Sequence, residues 1–171
     1  MLRRTNGFIV QTISNNRCRL KSVSERIRTG GAISPTATAS GAKLNKTLGG
    51  TLANKGDVFV AAGKKEDIDP NLLAAIAVHE TGNGTNPGSK NRNNVGGMMR
   101  SDGKGQQSFS SIDEGIYALA KLLRNNYFDK GITSIPAIQR KYAPNGAGND
   151  PKNLNSYWTS GVSKYYKMFS N

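Results

Sequence analysis

Glu80 closes the run Leu72-Leu73-Ala74-Ala75-Ile76-Ala77-Val78-His79-Glu80-Thr81-Gly82, so a carboxylate stands at the exit of a strongly apolar segment. Desolvation disfavours its charge, and the negative end of a helix dipole acts in the same direction, so its pKa should rise. An acid that keeps its proton near neutral pH, at the mouth of a loop, suits proton donation to a leaving oxygen. Cleavage of a glycosidic bond usually takes two such carboxyls. The chain holds 11 acids, few enough to weigh singly. Asp102 is the acid of the loop-rich stretch 82–110; it could face Glu80 across a cleft or simply make a turn before Gly103. Asp113 and Glu114 read as first-turn and capping acids, Asp129 as a surface acid and Asp150 as a turn or cap residue. A single protein acid would leave the attack on the anomeric carbon to the substrate's own acetamido group. Trp158, Tyr157 and Tyr165 could stack on sugars, but their spacing suits core packing. His79 could tune its neighbour or be structural.

The elements that would hold these groups are helices. Asp69-Pro70 is a helix start with an N-cap and proline at the first helical position, and Gly82 and Gly84 end that helix. Apolar on nearly all sides, it should be the central buried helix of a small bundle. Asp57 can cap an earlier helix carrying Val58, Phe59, Ala61 and Ala62. The 82–110 stretch is too long for a plain connector and should form a small irregular lobe, with a hairpin across Asp102-Gly103-Lys104-Gly105. Ser111-Ile112-Asp113-Glu114 reads as a capping box for a helix bearing Ile116, Leu119, Ala120, Leu123 and Tyr127. Another helix follows Thr133-Ser134 and ends before Pro144. The last carries Leu154, Trp158, Gly161, Tyr165 and Phe169 at helical spacing. The fold class is therefore mainly α, a helical core with a loop-rich or β-hairpin lobe, and a cleft between them would have Glu80 in its floor.

Residues 1–50 read differently: seven Arg and Lys between Arg3 and Arg28 face one acid, Glu25, and a Ser/Thr/Ala/Gly stretch follows. Little apolar surface can be buried there, so a basic, flexible arm is expected over 1–50 and a folded domain over 51–171. The net charge of +13 points to a polyanionic partner. One cysteine excludes an intrachain disulfide, one histidine excludes a His-rich metal site, and neither metal nor cofactor is expected. No stretch approaches a membrane span, and the short run Gly7-Phe8-Ile9-Val10 makes no signal-peptide core.

The segment 69–82 resembles the catalytic helix of the lysozyme-like superfamily, most closely the peptidoglycan-cutting N-acetylglucosaminidases of glycoside hydrolase family 73. Three further segments follow in the order of that family: Asn93-Asn94-Val95-Gly96-Gly97-Met98-Met99; Phe109, Ser111 and Glu114-Gly115-Ile116; and Lys141-Tyr142-Ala143-Pro144. The resemblance spans about residues 52–170. It implies that Glu80 is the general acid/base, that Tyr142 stabilises the reacting sugar, and that Thr81, Asn94, Gly96, Gly97, Met98 and Met99 line a glycan groove. The family's second acid, normally in the loop lobe, has Asp102 as its candidate. Glycine pairs fit this reading, since they let a sugar lie close to backbone amides.

The resulting expectation is a peptidoglycan hydrolase acting at the bacterial wall, N-acetylglucosaminidase in preference to muramidase or lytic transglycosylase. Its partners would be glycan strands and the anionic wall, and it would be phage- or virion-borne or part of a longer exported protein. A basic nucleic-acid-binding protein and a non-catalytic wall-binding module are the readings of another class. The first lacks a helix-turn-helix, a zinc module or interleaved aromatics.

Overall fold

The computed structural model describes residues 39–148, 150 and 152–171. Among them are seven α-helices: α1 Gly41–Asn45, α2 Gly56–Glu66, α3 Pro70–Thr81, α4 Pro87–Arg92, α5 Ile112–Asn126, α6 Ile135–Tyr142 and α7 Trp158–Ser170. Short 3-10 turns cover Gly50–Leu52, Phe128–Lys130 and Leu154–Tyr157. The mainly α expectation holds. No helix of the described residues is long and apolar enough to cross a membrane.

α3 is the axis. Asp69 caps it, its Oδ1 accepting from Asn71 N at 2.9 Å, and Pro70 opens it. Every residue from Pro70 to Val78 is buried, so other elements cover all its sides. α7 runs antiparallel along it, as two cross-bonds show: Tyr166 donates to Asp69 at the start of α3, and Trp158 donates to Glu80 near its end. The core continues through Phe59 of α2, Ile116, Leu119 and Leu123 of α5, Ile138 of α6, and Val162 and Phe169 of α7. A Cβ on Gly161 would lie 2.4 Å from the His79 ring, so the absence of a side chain there lets α7 approach α3.

Three local expectations are corrected. The boundary drawn at 50/51 falls inside the packed body. Leu44 and Leu48 belong to the core, and the Asn83 side chain accepts from Gly49 N and donates to Thr47 O, both at 2.9 Å. Two buried leucines were enough to dock a segment whose small polar residues suggested an arm. The Arg and Lys residues of 3–28 lie outside the described residues. Lys55, not Asp57, is the N-cap of α2, and Asp57 sits in its first turn. The face of α7 holds at Trp158 and Phe169 and is broadened by Val162 and Tyr166, whereas Leu154, which precedes the helix, is exposed.

The capping box at Ser111 forms with a one-residue change. Ser111 Oγ accepts from Glu114 N, and the Glu114 carboxylate reaches back to the N–H and hydroxyl of Ser110. Those bonds hold its pKa below the ordinary glutamate value. In the 82–110 lobe the anticipated hairpin is reduced to a single antiparallel bridge, Met99 to Gln106. Gly103 and Gly105 both take positive φ there, and with so few apolar side chains nothing extends the ladder into strands.

Candidate functional site

Glu80 lies in the last turn of α3, before Gly82 takes the left-handed conformation that ends the helix. Asn86 Nδ2 caps the Glu80 carbonyl at 2.8 Å, fixing the backbone from which the carboxyl projects. The two carboxyl oxygens have different surroundings. Oε1 accepts from Trp158 Nε1 at 2.7 Å. Oε2 faces Gly97, where a Cβ would come within 3.5 Å of it. Burial pushes the Glu80 pKa above the ordinary value, and the Trp158 hydrogen bond opposes that rise in part.

A cleft of about 390 Å³ opens over this carboxyl. Glu80, His79 and Trp158 form one side, Gly96 and Gly97 another, and Tyr142, Ala143 and Asn155 help to close it. A second cavity of about 220 Å³ shares Gly96, Gly97 and Tyr142 and continues past Met98, Met99, Leu122 and Tyr127. The two form a groove that crosses the glycine pair. Glu80 is the one carboxylate among the described residues lining either half. No group of three or more His, Cys, Asp or Glu residues is placed to hold a metal ion, among the described residues.

Tyr142 ends α6 with its hydroxyl donating to the Gly96 carbonyl, so it joins the helical core to the lobe. Burial, then the neighbouring Glu80 and Tyr127, hold its pKa well above the ordinary tyrosine value; it keeps its proton and acts as a donor. Its ring packs on Trp158 at 5.4 Å and on Tyr127 at 6.0 Å. His79 stands edge-on to Trp158 at 6.2 Å, and burial lowers its pKa, so it is neutral at neutral pH. The carboxyl therefore sits in an uncharged, mostly aromatic wall.

The sequence candidates separate into those at the groove and those behind it. Glu80, Tyr142, Gly96 and Gly97 meet in the cleft, while Met98 and Met99 border its second half. Thr81 does not reach the groove: it is fully buried, donating to Ala77 O at 2.6 Å and accepting from Gly84 N at 2.8 Å. Asn94 is also internal. Its amide donates to Met98 O and Gln107 O and accepts from Met98 N, so it braces the glycine loop without presenting to a ligand. Asp102 does not line the cleft. It is an exposed turn residue, bonded to Arg100 Nη2 and Lys104 N, each at 2.9 Å. The turn reading prevails because those two local donors satisfy the carboxylate where it stands. Asp150 likewise serves as a cap, accepting from Leu154 N and Asn155 N.

Trp158 packs in the core as its spacing suggested, and it also borders the cleft beside Glu80, a contact that sequence reasoning missed together with Asn155. A signal was present for the indole. Residues 158, 162, 166 and 169 recur at helical intervals. A helix buried on all sides needs a partner such as this one, and antiparallel packing sets its first residue beside the end of α3.

Comparison with known proteins adds the relationship. The profile of the Glucosaminidase family, described as mannosyl-glycoprotein endo-beta-N-acetylglucosaminidase, matches residues 56–168. A search of curated protein sequences returns no match. Among solved structures, S. aureus autolysin E is similar with a TM-score of 0.65 and 24% identity over 84% of this chain and 72% of that one. The same autolysin in complex with a muropeptide gives a TM-score of 0.63 at 24% identity, covering 80% and 69%. The catalytic domain of the autolysin Auto from Listeria monocytogenes gives 0.52 at 18%, covering 85% and 94%. At these identities the likeness is one of fold.

Proposed function

The chain belongs to the Glucosaminidase family of glycoside hydrolases, and from that premise we propose that it cleaves the β-1,4 glycan strand of peptidoglycan after N-acetylglucosamine, with Glu80 as general acid. The observation that carries the assignment is the Glu80 carboxyl, set in the floor of the cleft with its pKa raised by burial. Peptidoglycan as substrate is supported by the shared fold of autolysin E, which has been crystallised with a muropeptide and with the disaccharide NAG-NAM.

In the proposed reaction Glu80 gives its proton to the glycosidic oxygen, and the bond from that oxygen to the anomeric carbon breaks. With Glu80 the one carboxylate among the described groove residues, the acetamido carbonyl oxygen of the same sugar attacks the anomeric carbon and forms an oxazolinium ion. Glu80, now a carboxylate, takes a proton from water, whose oxygen opens the oxazolinium and leaves a reducing sugar of retained configuration. Tyr142, which keeps its proton, holds the Gly96-Gly97 backbone beside the reacting ring. Asp102 has no part in this scheme.

Mass spectrometry of digested peptidoglycan tests the reading. A reducing N-acetylglucosamine end is expected, released about a thousandfold more slowly by Glu80→Gln. A reducing N-acetylmuramic acid end would identify a muramidase and a 1,6-anhydro end a lytic transglycosylase. Salt-sensitive DNA binding without wall lysis would replace an enzyme by a nucleic-acid-binding protein.

A further inference from the structure

The chain contains a single tryptophan, and its indole N–H points at the acid of the cleft. Trp158 is 3% exposed. Tyr142 packs against one part of its ring system and His79 meets it edge-on, so the indole has little freedom to turn. Indole nitrogen is a donor only; it cannot accept a proton from a carboxylic acid. An oxygen that already receives this N–H at 2.7 Å is a poor seat for a proton of its own. The other oxygen looks toward Gly97, which lines the cleft.

We propose that Trp158 is a positioning residue for the proposed general acid: by donating to Oε1 it confines the transferable proton to Oε2, the oxygen that faces the substrate. The inference rests on the reading of Glu80 as the acid. Without the indole, the proton has two seats and the carboxyl can turn away from the groove. The same bond tunes acidity, because a donor to a carboxylate favours the ionised form. The titratable neighbours of Glu80 are His79 on its own helix and Tyr142 on α6, with Tyr127 behind. His79 is neutral and the tyrosines are protonated at neutral pH. No Lys, Arg or second acid lines the cleft among the described residues, so the indole is the strongest local influence that opposes desolvation.

The test uses the uniqueness of the indole. In protein labelled with 15N-tryptophan, the one side-chain N–H resonance should shift with pH as Glu80 ionises, with a midpoint above the ordinary glutamate value, and the titration should vanish in Glu80→Gln. Biosynthetic replacement of tryptophan by benzothienylalanine puts sulfur in place of the N–H and alters only position 158. That protein should melt within a few degrees of the parent. Its kcat should fall about tenfold or more with KM changed by less than about twofold, and its alkaline activity limb should move to higher pH. Trp158→Phe should move both readouts the same way, and Trp158→His, which can keep a ring N–H donor, should recover part of kcat. An indole resonance indifferent to Glu80, or a benzothienyl protein with parental kcat and pH profile, would overturn the proposal. The indole titration needs no substrate, so it stands or falls separately from the identity of the bond cut. Hydrolysis at close to the parental rate in Glu80→Gln would instead remove the reading of Glu80.

Discussion

The cleft holds a carboxyl whose surroundings retain its proton to higher pH than an ordinary glutamate would. Burial raises the Glu80 pKa, so folding favours the neutral acid. Its contribution to stability is greatest below the unfolded-state pKa and is lost as pH rises through the higher folded-state value. Activity that needs the proton should fall over that same upper range, giving an alkaline limb assignable to Glu80. Glu80→Gln should reduce hydrolysis by roughly 10³-fold, within the usual span for removal of a general acid. The neutral amide can still accept from Trp158 and no longer suffers desolvation of a charge, so thermal denaturation at neutral pH should show an equal or higher Tm. A fall of several degrees would mean that the carboxylate is a structural ion. Tyr142→Phe removes the hydroxyl that reaches the Gly96 carbonyl. An acceptor left without its partner costs about 1–3 kcal/mol, so a lower Tm is expected together with reduced kcat.

At the scale of elements, the lobe loop and α3 meet over a very small gap. Gly97 has φ of +59°, and a methyl there would rest 3.5 Å from Glu80 Oε2. Gly97→Ala should cost about 1–2 kcal/mol for the left-handed backbone. It should also fill the approach to the proton, so kcat should fall more than a melt of the variant accounts for. Parental kinetics in a folded Gly97→Ala would show that the substrate does not pass between loop and helix. The elements themselves were largely legible in the sequence. Asp69-Pro70, Ser111 and Ser134 mark helix starts that form as expected, because caps are local chemistry. The lobe was less legible: Asn94 and Thr81 carry groups suited to binding, yet both are consumed by backbone partners several residues away. Asp102 had two readings that differ only in which donors come near, and spacing cannot decide that. Trp158 was hidden for another reason. Its contact with Glu80 spans 78 residues, and helical spacing placed the indole in the core, where it lies, without showing which side chain of α3 its N–H would meet.

The whole molecule carries a net charge of +13 against a substrate layer expected to be anionic. Long-range attraction should raise the encounter rate and should be screened within about 10 Å at 0.1 M salt. Lysis of whole walls should therefore slow several-fold as ionic strength rises, while cleavage of a short uncharged glycan should barely respond; equal salt sensitivity would show that long-range attraction is not what speeds lysis. A last consequence follows from α7, which grips α3 at both ends through Tyr166 and Trp158. Polypeptides are made from the N-terminus, so the ribosome delivers Glu80 long before the helix that covers it. Until residues 158–169 emerge, one flank of a mostly apolar helix has no cover, and the acid has no indole beside it. Synthesis thus imposes a delay: an interrupted chain would be sticky but chemically idle, and the ability to cut would come only with the helix that finishes the core.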